Sequence, residues 1–205
     1  MSLITETVLI QKHNSEIGNI CIECGLCCDG SMFNKARMDK QDDPAFLKQM
    51  GVESFTVDDK PFFQLPCRAQ KGKRCSLYHD ERRFKVCRTF NCKLLKQYLS
   101  AEISSPAALD IIMEVRMRRE RIKAFSEMLH ADLNVCDPSI ISFLRELYRS
   151  GKVEDPAFRR SYGKQVLDCY IFRELLRQRF YNKKANVNLE LGTDDQTIEP
   201  GNQTV

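Results

Sequence analysis

Histidine is scarce in this chain: His13, His79 and His130 are the only three in 205 residues, and they stand apart from one another. With no serine–histidine or histidine–glutamate motif beside them, nothing in the sequence suggests hydrolysis. No Gly-x-Gly-x-x-Gly or phosphate-cradling loop occurs among the nine glycines, which argues against a Rossmann-type methyltransferase or dehydrogenase. No apolar run is long enough to span a bilayer. Charge of one sign is also lacking. Thirty-two Lys and Arg face 28 Asp and Glu for a net +4, so no overall field draws the chain to nucleic acid or to a membrane. The stretch from Met1 to Gly18 lacks the charged, apolar and small-residue regions of a signal peptide. The expectation is a cytoplasmic protein without membrane association.

Against these absences stand ten cysteines. Cytosolic thiols are kept reduced, so a dense set there points to metal or redox chemistry rather than structural disulfides. A secreted disulfide scaffold is the competing explanation, and the missing signal peptide speaks against it. Eight of the ten lie between Cys21 and Cys92; Cys136 and Cys169 fall beyond. The first group reads Cys21-x2-Cys24-Gly25-x-Cys27-Cys28, the second Cys67-x7-Cys75-x11-Cys87-x4-Cys92. Thiolates spaced this closely in a tight turn converge on one ion or cluster, and the glycine lets the backbone curl around it. Eight soft ligands match two four-cysteine sites, either tetrahedral zinc or iron–sulfur clusters.

The opening Cys-x2-Cys-x2-Cys is shared with bacterial ferredoxins, which favours an iron–sulfur cluster. The fourth cysteine three residues on, followed by proline, is absent, and Cys28 is adjacent instead. Adjacent side chains leave the backbone in different directions, so Cys27 and Cys28 are expected to serve different sites and knit the two groups together. Zinc would satisfy the same thiolates without a redox role. With every ligand a cysteine, no open position would remain for direct Lewis-acid catalysis.

Between Cys67 and Lys93, nine basic residues (Arg68, Lys71, Lys73, Arg74, Arg82, Arg83, Lys85, Arg88 and Lys93) face two acids, Asp80 and Glu81. Cations near thiols lower their pKa and favour the ligating form, so charge compensation is the first explanation. An anionic partner drawn to the surplus is the second, and salt-sensitive binding would separate the two. His79 lies inside this stretch and could replace a ligand, but eight cysteines already complete two sites.

Other elements follow from local signals. Asp43-Pro44 opens a short helix that ends near Gly51. Phe55 to Leu65, around an Asp-Asp-Lys-Pro turn, suggests a hairpin, and Lys93 to Leu99 reads as a helix. From Ser105-Pro106 onward long helices take over. Ile111, Val115, Ile122, Phe125 and Leu129 keep one face apolar, and Arg118 falls on that stripe. A second helix is predicted from Asp137-Pro138 to Arg149, stopping at Gly151. A third starts at Asp155-Pro156, with Phe158, Tyr162, Val166, Cys169, Phe172, Leu176 and Phe180 in line. Cys169 then reads as a packed thiol, and Cys136 as one that staples a helix start against Ile141. The run Arg116-Met117-Arg118-Arg119-Glu120-Arg121 is read as a solvated helix face. Nucleic acid is the alternative there, but the aromatics that would stack bases are missing.

The fold class expected is mainly α, a small irregular cysteine-rich metal-binding module packed against a C-terminal helical hairpin or three-helix region. The module occupies 1–100 and the helical region 101–181. Residues 182–205 are polar and aperiodic, and are expected to be disordered.

Cys21-x2-Cys24-Gly25-Leu26-Cys27-Cys28, then Cys75-Ser76-Leu77-Tyr78, Arg82 and Cys87-Arg88-x-Phe90-x-Cys92, resembles the YkgJ-type cysteine-cluster family. Its members are described as zinc- or iron-chelating, often as iron–sulfur proteins, and some are distant relatives of flagellin lysine N-methylases. The resemblance spans under half the chain. It implies Cys21, Cys24, Cys27, Cys28, Cys67, Cys75, Cys87 and Cys92 as ligands, with Tyr78, Arg82 and Arg88 in support. Two departures concern loop geometry: Arg83 stands where the family usually has proline, and the Cys75 to Cys87 interval is longer than usual.

Three functions follow as expectations. The first is an iron–sulfur protein with an electron-transfer or oxidoreductase-associated role and a protein partner or electron donor. The second is a zinc-stabilised protein-interaction module. The third, on resemblance alone, is an enzyme related to protein-lysine N-methylases, for which no methyl-donor site is visible.

Overall fold

In the computed structural model, residues 20–72, 74–133, 139–182 and 197–198 are described. The chain is mainly α. A helical turn over residues 20–24 leads into the cysteine loop. Strand β1 (Lys35–Arg37) is followed by helix α1 (Pro44–Gln49), started as expected by the Asp43 carboxylate, which accepts from the Ala45 amide at 2.8 Å, with proline at the first helical position. The expected hairpin is strands β2 (Ser54–Val57) and β3 (Lys60–Gln64), paired Ser54 with Phe63 through Val57 with Lys60. Asp58 and Asp59 both have positive φ, 48° and 60°, as a two-residue loop matched to strand twist requires. Strand β1 lies antiparallel on the other edge of β3.

A second, two-stranded sheet, β4 (Gln70–Lys71) with β5 (Arg74–Cys75), carries Cys75. Helix α2 (Lys85–Thr89) has no counterpart in the sequence expectations, because five residues are too few for a periodicity to register. Helix α3 (Lys93–Leu99) matches its expected bounds.

The helical region is helix α4 (Ser105–Leu133), helix α5 (Ile140–Arg149) and helix α6 (Pro156–Arg179). Helix α6 begins at Asp155-Pro156 as the capping signal predicts, the Asp155 carboxylate accepting from Ala157 at 2.8 Å. Its geometry breaks at Tyr162 (φ −129°, ψ 17°), between Ser161 and Gly163, a pairing that commonly kinks helices. Helix α5 is capped by Ser139, whose hydroxyl accepts from the Ser142 amide at 3.2 Å. The Asp137-Pro138 start, Cys136 and His13 lie outside the described residues, as does the side chain of His130. Of the 182–205 tail, Asn182 is described, and so is strand β6 (Thr197–Ile198), which runs parallel beside β1.

Two corrections concern α4. Ile112, not Ile111, is the fully buried member of the stripe, alongside Ala108, Val115, Ile122, Phe125 and Leu129. The arginine run is also not merely a solvated face. Arg116 Nη1 donates to the Cys24 carbonyl at 2.8 Å. Arg118 Nη1 donates to Asp168 of α6 at 2.7 Å, and Arg121 reaches the same carboxylate at 3.3 Å. Arg119 Nε lies 3.1 Å from Asp29 Oδ2, an ion pair without hydrogen-bond alignment. The run therefore ties α4 to the cysteine loop on one side and to α6 on the other.

One continuous core runs from Ile20 to Tyr181. The change near residue 100 marks a change of element type, not a break in packing. A close approach between the two halves is at Gly30. Its carbonyl accepts from the Ile141 amide at 3.0 Å, its φ is +76°, and a Cβ there would meet Ser139 Cβ at 2.7 Å. Gly30→Ala should destabilise the protein by about 1–3 kcal/mol through left-handed strain alone, with the Ser139 clash adding to that. Thermal melts of the two proteins check it; an unchanged Tm would mean that the loop and α5 do not meet as described.

Candidate metal centre

All eight cysteines between Cys21 and Cys92 line one cavity of about 100 Å³. Cys21 and Cys24 project from the helical turn at residues 20–24. Gly25 then reverses the chain at φ 66°, its amide donating to the Cys21 carbonyl at 3.0 Å and its carbonyl accepting from Cys28 at 2.9 Å. This is the curl expected of that glycine, and it turns Cys27 and Cys28 back towards the same space. Cys67 follows β3, Cys75 lies on β5, Cys87 on α2, and Cys92 caps α3, its sulfur accepting from the Leu95 amide at 3.4 Å. The rest of the wall is apolar, including Leu26, Phe63, Leu77, Phe84, Phe90 and, from the helical region, Ile112.

Burial dominates the chemistry of these thiols. It pushes Cys24, Cys27 and Cys28 well above the ordinary thiol value, and the neighbouring thiolate charges push them further. Cys87 and Cys92 are pushed up to about 12, again first by burial. Opposing this, the Leu26 amide points at Cys24 and the Leu95 amide at Cys92, while the Ala69 and Gln70 amides point at Cys67. Amides aimed at sulfur favour its negative form. Burial therefore favours the neutral form of these thiols, and several of them are already faced by donors that suit thiolates. A cation bound here would supply the remaining stabilisation and displace the protons.

Four of the nine basic residues of the second group are engaged away from the chamber. Arg82 pairs with Asp80 at 2.8 Å and covers the Phe46 ring at 4.0 Å. Lys85 pairs with Asp39 at 2.9 Å, Arg88 donates to the Glu81 carbonyl at 3.2 Å, and Lys93 to the Gln178 carbonyl at 2.8 Å. Arg83 is the exception, the one permanently charged side chain among the described lining residues. Its guanidinium covers the Tyr78 ring at 4.3 Å, and its Nε is buried with no hydrogen-bond partner among the described residues. It acts on both groups of cysteines, opposing the upward push of burial at Cys21 and at Cys87. Charge compensation thus narrows from a patch to one residue, and that residue stands where the resemblance leads one to expect proline. Of the three supporting positions, Tyr78 lines the chamber, whereas Arg82 and Arg88 do not. His79 is exposed, edge-on to Tyr78 at 5.1 Å, and not in the chamber wall.

Among the described residues, no three Cys, His, Asp or Glu side chains are drawn together into a ready-made single-ion site. The nine described cysteines are all free thiols. The donor set is soft and anionic once deprotonated, which suits zinc, iron–sulfur or other thiophilic centres. Cys169 stands apart, buried in the helical core as its position on the apolar stripe implies. No family model, curated protein or solved structure matches the chain.

Two predictions follow from the electrostatics. Arg83→Gln leaves Cys21 and Cys87 without their cation and should weaken metal binding roughly 10–100-fold, the usual range for a residue supporting a ligand; competition with a chromophoric chelator reads it. Separately, burial raises Cys169 from 9 to about 12. Its protonated form is favoured by the fold, so this contribution to stability is full below pH 9 and is lost as the pH rises towards 12. Cys169→Ala should flatten the alkaline loss of stability by up to ~1.4 kcal/mol per pH unit. Urea melts between pH 8 and 11 measure that slope, and an identical slope in both proteins would exclude the effect.

Proposed function

We propose that this chain is a metal-binding cysteine-cluster protein whose resident group is iron–sulfur, and that it exchanges electrons with a protein partner. The observation that carries the reading is the convergence of eight free thiols, remote in sequence, on one apolar chamber. Free cysteine packs well as a small hydrophobe, and one or two buried thiols need no further reason. Eight facing one another are different, because each ionisation opposes the next. A cation resolves that conflict for all of them together.

The volume favours a cluster over a single ion. About 100 Å³ is several times the ~10–15 Å³ that a water-sized body requires, and a polynuclear centre uses such space without the walls closing in. When bound, an iron–sulfur centre supplies one-electron exchange at a potential set by burial, net charge and hydrogen bonds to sulfur. This chain's residues supply those settings. Phe63, Phe84, Phe90 and Ile112 exclude water, the Leu26 and Leu95 amides face sulfur, and Arg83 adds one positive charge. The resemblance to the YkgJ-type family agrees with this reading. No described helix is long and apolar enough to cross a membrane, and we assign the protein to the cytoplasm on its cysteine usage.

Metal and acid-labile sulfide analysis with a visible spectrum, on protein purified without oxygen, tests the proposal. Iron with sulfide and broad absorption near about 400 nm is the expected result. Stoichiometric zinc without colour would make the chamber a structural module that presents the helices to a partner. Cys24→Ser and Cys87→Ser should each lower the metal content, and Cys169→Ser should leave it unchanged. Full occupancy in the first two would remove the ligand assignment.

A further inference from the structure

We propose that the chamber contains two interlocked four-sulfur centres, one held by Cys21, Cys24, Cys27 and Cys92 and the other by Cys28, Cys67, Cys75 and Cys87. The inference rests on the metal-binding reading above and divides its ligands.

Backbone geometry ties the second set together. The Cys67 amide donates to the Cys28 carbonyl at 2.7 Å, so residues far apart in sequence are in direct contact there. The Cys67 carbonyl accepts from Gln70 at 3.0 Å, and Gln70 is the strand partner of Cys75. Three of the four are thereby linked through the main chain. Cys87, the remaining thiol of the chamber wall, completes the set from α2.

The first set is assembled differently. Cys21 and Cys24 are three residues apart in a helical turn and so share a face. The segments carrying Cys27 and Cys92 are both fastened to the end of α6. The Lys93 amide donates to the Phe180 carbonyl at 2.9 Å, Tyr181 Oη donates to the Met32 carbonyl at 2.7 Å, and Cys27 Sγ lies 3.9 Å from Met32 Sδ. Cys27 and Cys28, adjacent in the chain, fall in different sets.

Each centre therefore takes three sulfurs from one segment group and a fourth from the other. The fourth-ligand exchange of two-cluster ferredoxins has the same logic. The Cys27–Cys28 peptide is the partition, and Arg83, which acts on Cys21 and Cys87, serves one member of each set.

Double variants distinguish the partition from a single shared centre. Full-length protein is reconstituted anaerobically with iron and sulfide, and in parallel with zinc, and metal per chain is measured. Cys24→Ser should retain half of the wild-type metal. Adding Cys92→Ser, in the same set, should remove no more, whereas adding Cys87→Ser, in the other set, should remove the rest. A single variant that loses everything, or a Cys24→Ser/Cys92→Ser protein that falls below the single, overturns the partition. Circular dichroism confirms folding. Should a variant not fold, native mass spectrometry of the wild type during chelator titration decides: two equal steps support the proposal, one step overturns it. Wild-type protein that takes up neither metal overturns the parent reading, and the partition with it.

Discussion

The mutual repulsion of buried thiolates is the constraint around which this molecule is arranged. A thiol can be hidden in an apolar wall at little cost while it keeps its proton. Eight thiols around one cavity can lose their protons together only if positive charge arrives with them. Backbone amides directed at sulfur and a single guanidinium oppose the upward push of burial at several of these thiols. The short strands and brief helices of the N-terminal half make sense in this light. Their own hydrophobic contacts are modest, and their common task is to bring cysteines from five places to one chamber.

The helical half supplies what the cysteine half lacks. Long helices bury a continuous apolar stripe, with Phe125 set edge-on to Phe143 at 5.8 Å and packed against Tyr162 at 5.6 Å. That rigid body is fastened to the cysteine loop by Arg116 on the Cys24 carbonyl and Arg119 beside Asp29. Burial holds the Asp29 carboxyl above its ordinary range even with Arg119 next to it. Buried ion pairs of this kind specify a geometry more than they add net stability. Here the geometry specified is the position of the loop that carries Cys21 to Cys28.

Much of this was legible in the sequence wherever a local signal existed. Asp-Pro caps placed the starts of α1 and α6, and the Asp58-Asp59 pair placed the hairpin. The 3.6-residue period placed Cys169 inside the core. What could not be read was long-range. The arginine run resembles any charged helix face until Asp29 and Asp168, distant in sequence, are brought against it. Arg83 was one of nine basic residues, and nothing local distinguishes it from the other described ones, which do not line the chamber. Helix α2 was too short to carry a period. The cysteines themselves were visible by spacing, but their convergence depends on pairings such as Cys28 with Cys67 that no local pattern encodes.

Tyr181 ties down Met32, which lies against Cys27, and the Phe180 carbonyl holds the segment that begins α3. Both come from the end of the last long helix, roughly ninety residues after the final cysteine of the cluster. During synthesis all eight thiols emerge well before these residues that fasten their segments. The newborn chain therefore passes through an interval in which the cysteines are present and their anchors are not yet made. Oxidation of exposed thiols is the hazard of that interval, and a centre of the kind proposed above would find its ligands most accessible then.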